Sequence, residues 1–305
     1  AYQAGADSAE FKLAAATVDA NSVDVAKAVG SVAGPDNEKT FLQAWRSHVN
    51  DFVAYAVATK GNDAAGKQAA VDNLLAYAKQ QGLFFNTVTA GALPADAVEH
   101  EFVSHITSLA TAVDAFAAGD GTGYAKLKAA AEHMPMSAKA LAGGIVTAAK
   151  ISGDPGDAAS ELRSGLTSLL NGHEYLAGIA VFTAYTAGAD SPAFKAAAAA
   201  LDANSVELSK AVGSVAGADN EKQFLQAWRA HLDDFVGYAV AAAKNDDAGK
   251  RAELADLDAY RQNTGAFFEK ITNGALRKDA VAEALKTHVE TTAGAIDSLR
   301  AALVK

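Results

Sequence analysis

The chain contains no cysteine. This absence excludes disulfides, zinc sites with thiolate ligands, iron–sulfur clusters and covalently attached haem. Proline and aromatic residues are scarce, with five prolines in 305 residues and 8% aromatics, whereas 50% of the residues are hydrophobic. Alanine dominates the hydrophobic fraction, as is typical of long helices with closely packed backbones. The composition therefore predicts an all-α fold.

Long apolar runs and an excess of positive charge are also missing. Residues 176–187 are apolar, but a membrane-spanning helix needs roughly 18 such residues. The formal net charge is −10, and nucleic-acid affinity depends on Lys and Arg side chains that neutralise phosphates. We therefore expect a protein that neither spans a membrane nor binds nucleic acid.

The sequence begins at Ala1 and not at methionine. This start fits a chain from which a signal peptide has been removed. We expect a bacterial protein located outside the cytoplasm, either secreted or at the cell surface.

The chain contains an internal duplication. Residues 1–122 align without a gap with residues 184–305, so that Ala1 corresponds to Ala184. The motif AVGSVAGxDNEKxFLQAWRxH, for example, begins at Ala28 and again at Ala211. Roughly half of the aligned positions are identical, which indicates a repeated structural unit.

The repeat predicts two tandem helical bundles. Residues 123–183 add one helical segment after copy one and another before copy two. The complete unit therefore has six segments, of which copy one lacks the first and copy two lacks the last. Short turns between long helices predict up-down antiparallel, four-helix-bundle-like domains. We place these domains at residues 1–150 and 159–305, with a linker at residues 151–158.

Histidines lie on or beside the apolar faces of four types of helical segment. Trp45, His48 and Phe52 share one face at spacings of three and four, and copy two repeats this pattern around His231. These histidines are close to the middles of their helices, so level antiparallel helices bring them into one layer. The candidate metal ligands, which include both methionines of the chain, are His48, His105, His133, Met134, Met136, His173, His231 and His288.

The same layer receives other polar groups from the second and fourth segments. These are Asp19, Asn21 and Tyr77 in copy one and Asp202, Asn204 and Tyr260 in copy two. Burying polar groups costs several kcal/mol unless they are paired. One interpretation is a hydrogen-bond network that fixes the helix register. The other is a transition-metal site, with copper favoured over zinc or iron because imidazoles suit all three and thioethers favour Cu(I).

The motifs of common catalytic sites are absent. The sequence has no Glu-x-x-His pair, no His-Glu-x-x-His and no Gly-x-Ser-x-Gly. His48 and His231 are each followed three residues later by an aspartate, Asp51 or Asp234, which suggests an orienting pair. Since no nucleophile with a base is found, we predict a protein that is not an enzyme.

Two incomplete bundles also suggest self-association. A missing helix leaves an apolar groove, and proteins rarely leave such grooves uncovered. If a neighbouring chain fills the groove, head-to-tail repetition produces an open polymer. A self-assembling filament or surface protein is therefore the alternative function.

Two stretches carry a resemblance to other proteins. Residues 169–177, LLNGHEYLA, and residues 227–231, AWRAH, resemble secreted Ala-rich bacterial helical proteins, some of which carry copper-related labels. The overall shape is similar to ferritin-like and hemerythrin-like bundles, but their ligand motifs are not present. The resemblance implies secretion and favours copper slightly, without implying a mechanism.

Overall fold

The computed structural model describes residues 5–304, apart from the side chains of Ala9 and Glu10. The expected processed start at residues 1–4 lies outside this range. Within it the chain forms helices and turns with no strand, so the predicted all-α tandem bundles are confirmed. The helices are α1 (Ala9–Ala33), α2 (Pro35–Lys60), α3 (Ala64–Val88), α4 (Ala95–Ala118), α5 (Gly123–Ala149), α6 (Ala158–Ala187), α7 (Pro192–Ala216), α8 (Ala218–Ala243), α9 (Asp247–Ile271) and α10 (Lys278–Leu303).

The helices belong to two compact units. Unit 1 ends at Glu161 and unit 2 begins at Leu162, within the first turns of α6. Each helix from α1 to α5 packs against the next in unit 1, and α7 to α10 do the same in unit 2. Helix α6 joins unit 2 through side chains such as Tyr185, whose hydroxyl donates to the carbonyl of Ala239 at 2.9 Å. No helix in residues 5–304 combines the length and hydropathy needed to cross a membrane.

Capping residues fix several helix starts, and they recur in both copies. The hydroxyls of Ser8 and Ser191 accept backbone N–H groups three residues later, at 3.0 and 3.1 Å. The carboxylates of Asp63 and Asp246 do the same at the starts of α3 and α9. These bonds satisfy N–H groups that have no partner within the helix. The same local sequence therefore produces the same helix boundaries twice.

Two glycines allow close helix packing, one between α3 and α4 and the other between α9 and α10. Gly82 faces the carbonyl of Ala95, and a Cβ at this position would overlap the oxygen. Gly265 has the same relation to the carbonyl of Lys278. Because the obstacle is backbone, no side-chain movement relieves the overlap. Close helix packing therefore requires glycine at both positions.

The aspartates that we placed in the polar layer lie elsewhere. Asp202 accepts two hydrogen bonds from Arg229, at 2.7 and 2.9 Å, and Asp19 pairs with Arg46 in the same way in copy one. Both pairs are at the surface. The prediction was wrong for the aspartates because residues two positions apart point about 200° away from each other around a helix. Asn204 therefore faces inward where Asp202 cannot.

One face of α1 is open in copy one. Val18 is 46% exposed, whereas its counterpart Leu201 in α7 is 8% exposed. In unit 2 this face is covered by α6, since the amide of Asn204 donates to the carbonyl of Leu169 at 3.1 Å. Within residues 5–304 no helix precedes α1 in the way that α6 precedes α7. Coverage of the open face by a neighbouring chain stays a prediction.

Candidate metal centre

Three histidines from three helices meet inside unit 2. His173 comes from α6, His231 from α8 and His288 from α10. Their ring centroids are 5.5, 5.9 and 6.1 Å apart. One nitrogen of each ring lies within 4.8 Å of the other two. The fold thus brings this part of the predicted histidine layer together as a single group.

The deepest nitrogens of the group have no hydrogen-bond partner. His231 is 0% exposed, and neither of its ring nitrogens forms a hydrogen bond of normal geometry. The carbonyl of Trp228 lies near this ring and only partly opposes the lowering of its pKa. The Nδ1 atom of buried His173 is also without a partner. A hydrogen-bond network does not account for these atoms, because buried polar groups in proteins are normally paired.

Burial keeps the two deepest imidazoles neutral. It lowers the pKa of His173 from 6.5 to about 4, although the charge of Glu174 opposes this shift. Burial, reinforced by the charges of His173 and His288, lowers the pKa of His231 well below 6.5. A neutral imidazole retains the lone pair that a metal ion requires. His173 and His231 can therefore coordinate a metal ion at neutral pH.

Glu174 orients the third histidine. Its Oε1 lies 2.5 Å from Nδ1 of His288, and its Oε2 accepts a hydrogen bond from the hydroxyl of Thr292 at 3.2 Å. Burial by itself raises the pKa of Glu174, but the bond and charge of His288 outweigh it and the net pKa is lowered. Because Nδ1 faces the carboxylate, Nε2 is the nitrogen of His288 available to a metal. Metal-bound histidines usually have such a carboxylate partner.

Aromatic rings enclose the group. Tyr260 stacks on His231 with 4.6 Å between ring centroids. Trp228 contacts both His173 and His231 edge-on, at 4.8 and 4.7 Å. These rings restrict the imidazole orientations and surround the group with apolar surface, where electrostatic interactions are stronger than in water.

Copy one carries two of the histidines but does not form the group. His48 and His105 occupy the positions of His231 and His288, but no described residue of copy one corresponds to His173. The Nδ1 atom of His48 instead lies 2.5 Å from the carbonyl of Trp45. Across the described part of unit 1, no three metal-binding side chains come within 4.8 Å of one another. Copy one is therefore an internal comparison for the site.

The remaining candidates are on α5, in unit 1. His133 lies 3.3 Å from a carboxylate oxygen of Glu101. Burial, with a smaller effect of His133, lowers the pKa of His105. Met134 and Met136 are 37% and 61% exposed, so both have solvent access. A metal-binding role for these residues and for the other histidines of copy one stays a prediction.

The suggested orienting pairs of histidine and aspartate do not form. Neither nitrogen of His231 bonds to Asp234. In copy one, Asp51 accepts a hydrogen bond from the amide of Asn73 at 3.1 Å. Asp234 does, however, line a cavity between α8 and α9 whose lining also includes His231.

Three acidic residues near the site were not among the candidates. Glu174 follows His173 directly, and this position beside a mid-helix histidine could have indicated it. Glu253 and Asp256 form a group with Asp234, with carboxylate oxygens within 4.8 Å of one another. A difference between the copies could have indicated these two residues, because copy one carries alanine and asparagine at the corresponding positions.

The fold and these contacts define a tandem helical-bundle protein with a buried three-histidine cluster in its second unit. Comparison of the chain with models of protein families, with curated proteins and with solved structures gave no match. A functional assignment therefore depends on the cluster itself.

Proposed function

We propose that the protein binds one divalent transition-metal ion through His173, His231 and His288. The observation that carries the proposal is the convergence of three imidazole nitrogens within 4.8 Å of one another. Three neutral imidazoles form a common ligand set and leave a fourth position for water or another ligand. A bound ion would also occupy lone pairs that otherwise have no partner.

Small movements of the rings complete the coordination. A tetrahedral ion with metal–nitrogen bonds of about 2.0–2.1 Å holds its nitrogens about 3.3 Å apart. Nitrogens that start within 4.8 Å of one another therefore approach by about 1.5 Å at most. His288 has the most room for this rotation, since its side chain is partly exposed.

Copper is the favoured ion. The affinity of a nitrogen site for divalent first-row metals rises to a maximum at Cu²⁺, and Zn²⁺ binds less tightly. This preference rests on the imidazoles, because Met134 and Met136 belong to unit 1. Zinc and iron are the less favoured ions. An extracytoplasmic location and a role without catalysis stay proposals that come from the sequence.

Replacing His288 tests the proposal. In a Trp45→Phe background, Cu²⁺ should quench the fluorescence of Trp228 with a stoichiometry of one, because Trp228 contacts two of the ligand rings. His288→Asn should lower the affinity for Cu²⁺ by at least about 100-fold, since loss of an outer partner alone costs 10–100-fold. His288 is a suitable position because it lies at the edge of the cluster.

The matched control is His105→Asn, which makes the same change at the same position of copy one. It should leave the affinity and stoichiometry measured by Trp228 unchanged. Circular dichroism verifies that both variants are folded. Equal Cu²⁺ affinities of the parent and His288→Asn would refute the proposal.

Replacing Glu174 tests the outer partner. Glu174→Gln keeps the size of the side chain but removes the charge that holds Nδ1 of His288. We expect the affinity for Cu²⁺, measured by competition with a chelator, to fall about 10–100-fold. Glu290→Gln, on the exposed side of α10, is the control and should change nothing. An unchanged affinity in Glu174→Gln would show that this carboxylate does not support the metal site.

A further inference from the structure

A cavity of about 290 Å³ lies between α8 and α9 of unit 2. Its lining includes the buried ring of His231 and the carboxylates of Asp234 and Asp256. Phe224 and Phe267 supply apolar walls. Neither ring nitrogen of His231 has a hydrogen-bond partner. The cavity is therefore bordered both by surface carboxylates and by the fully buried His231, whose ring nitrogens have no partner.

Glu253 joins the two carboxylates at the surface. One oxygen each of Asp234, Glu253 and Asp256 lies within 4.8 Å of the others. In the part of the chain that the structure describes, no lysine or arginine forms an ion pair with them. Burial and the neighbouring negative charges raise the pKa of Asp234. The group is thus a concentration of negative charge without a protein cation.

The backbone makes room for this group. Gly237 on α8 faces Glu253, and a Cβ at position 237 would overlap the carboxylate. In copy one the counterparts of these two residues are Ala54 and Ala70. The acid and the glycine that accommodates it therefore occur together, and only in the copy that forms the three-histidine cluster.

We propose that Asp234, Glu253 and Asp256 form a second cation site, which captures a divalent metal ion at the mouth of this cavity and supplies it to the three-histidine site. This inference rests on the proposed function. Carboxylate oxygens accept hydrated divalent cations, whereas an enclosed imidazole site requires the ion to lose water first. A negatively charged cleft also raises the association rate of a cation, by about 10–1,000-fold. The acidic group therefore sets the rate of loading, and the imidazoles set the final affinity.

The duplication provides the test variant. Glu253→Ala combined with Asp256→Asn gives copy two the residues that copy one carries at these positions, so the bundle tolerates both side chains. In a Trp45→Phe background, stopped-flow mixing with Cu²⁺ should show association at least about 10-fold slower than in the parent. The remaining rate should also depend less on salt. The equilibrium stoichiometry of Cu²⁺ should stay at one.

A control variant separates this site from general charge. Asp190→Asn combined with Glu290→Gln also removes two negative charges, at exposed positions that do not line the cavity. Its association rate should equal that of the parent. Mn²⁺, which prefers oxygen ligands, reports the capture site directly by electron paramagnetic resonance. Mn²⁺ binding should be lost in the acidic double variant and retained in His288→Asn.

The outcomes distinguish the two proposals. Equal Cu²⁺ association rates in the parent and the acidic double variant, with normal stoichiometry, would overturn the capture site and leave the three-histidine site intact. Retention of Mn²⁺ binding by the acidic double variant would also overturn it. If the parent binds no Cu²⁺ at equilibrium, the proposed function fails and delivery to the histidines fails with it.

Discussion

Acidification from pH 7.5 to pH 4.5 should lower the free energy of unfolding of metal-free unit 2 by more than that of unit 1, with roughly 2.5 kcal/mol lost through His173 alone. The pKa of His173 is about 4 in the folded chain, against an ordinary value of 6.5. Between these values the unfolded chain binds a proton that the folded chain does not bind. Stability therefore falls as the pH drops below 6.5 and levels off near pH 4.

The extent to which burial lowers each histidine pKa sets the size of the effect. A histidine with a pKa near 4 contributes roughly 2.5 kcal/mol over this interval. Unit 2 has His173 with a pKa of about 4 and His231 with a pKa well below 6.5, whereas unit 1 has His48 with a pKa of about 4 and His105, whose pKa burial also lowers. Surface ion pairs such as Arg229–Asp202 occur in both units and cancel in the comparison.

The two tryptophans allow each unit to be measured separately. Urea unfolding in the presence of a chelator is followed through Trp228 in Trp45→Phe, and through Trp45 in Trp228→Phe. His173→Gln should reduce the stability loss of unit 2 over this interval by roughly 2.5 kcal/mol and leave the pH dependence of unit 1 unchanged. If unit 2 proves no more sensitive to acid than unit 1, the buried neutral histidines do not control its stability.

The acid sensitivity and the proposed metal site have the same physical origin. Holding neutral imidazoles in an apolar interior is unfavourable for folding when their nitrogens have no partners. Side chains of Phe and Leu would pack there without this cost. Retaining His231 at a fully buried position is therefore consistent with a ligand that binds it, and the free energy of metal binding would offset the cost.

The sequence predicted the helices well because their signals are local. Ser191 followed by Pro192 marks the start of α7, because serine accepts N–H groups of the first turn and proline fits the first helical position. The duplication then predicted that both copies fold alike, and the repeated caps bear this out. The placement of histidines on apolar faces also came from helical period alone.

The composition of the site could not be read from period and spacing. Which rings meet depends on how α6 packs against α8 and α10, and side chains at equal height converge only when their helices are neighbours. Glu174 and His288, for example, are far apart in sequence, and only the packing of α6 against α10 brings them into contact. Likewise, Asp202 and Asn204 seemed equivalent by height, but their directions around the helix differ. Local signals do not contain these angles.

Truncating one core leucine should test whether α6 completes the core of copy two. Leu257 is 0% exposed and packs with Phe235, Tyr238 and Ile296. We expect Leu257→Ala to lower the free energy of unfolding by about 3–5 kcal/mol, because the substitution removes apolar contacts and leaves a cavity that enclosed neighbours cannot fill. Urea unfolding followed through Trp228 in a Trp45→Phe background measures the change.

Leu74→Ala makes the same substitution at the matched position of copy one. Leu74 is also 0% exposed, but its neighbour Phe52 is only partly buried, whereas the counterpart Phe235 in copy two is 6% exposed. The surroundings can therefore relax into the space, and we expect a smaller loss of about 2–3 kcal/mol, followed through Trp45. Leu75→Ala, at a residue that is 41% exposed, is the control and should change stability by less than about 0.5 kcal/mol. Equal losses at Leu74 and Leu257 would mean that α6 contributes little to the rigidity of the core beneath the three-histidine site.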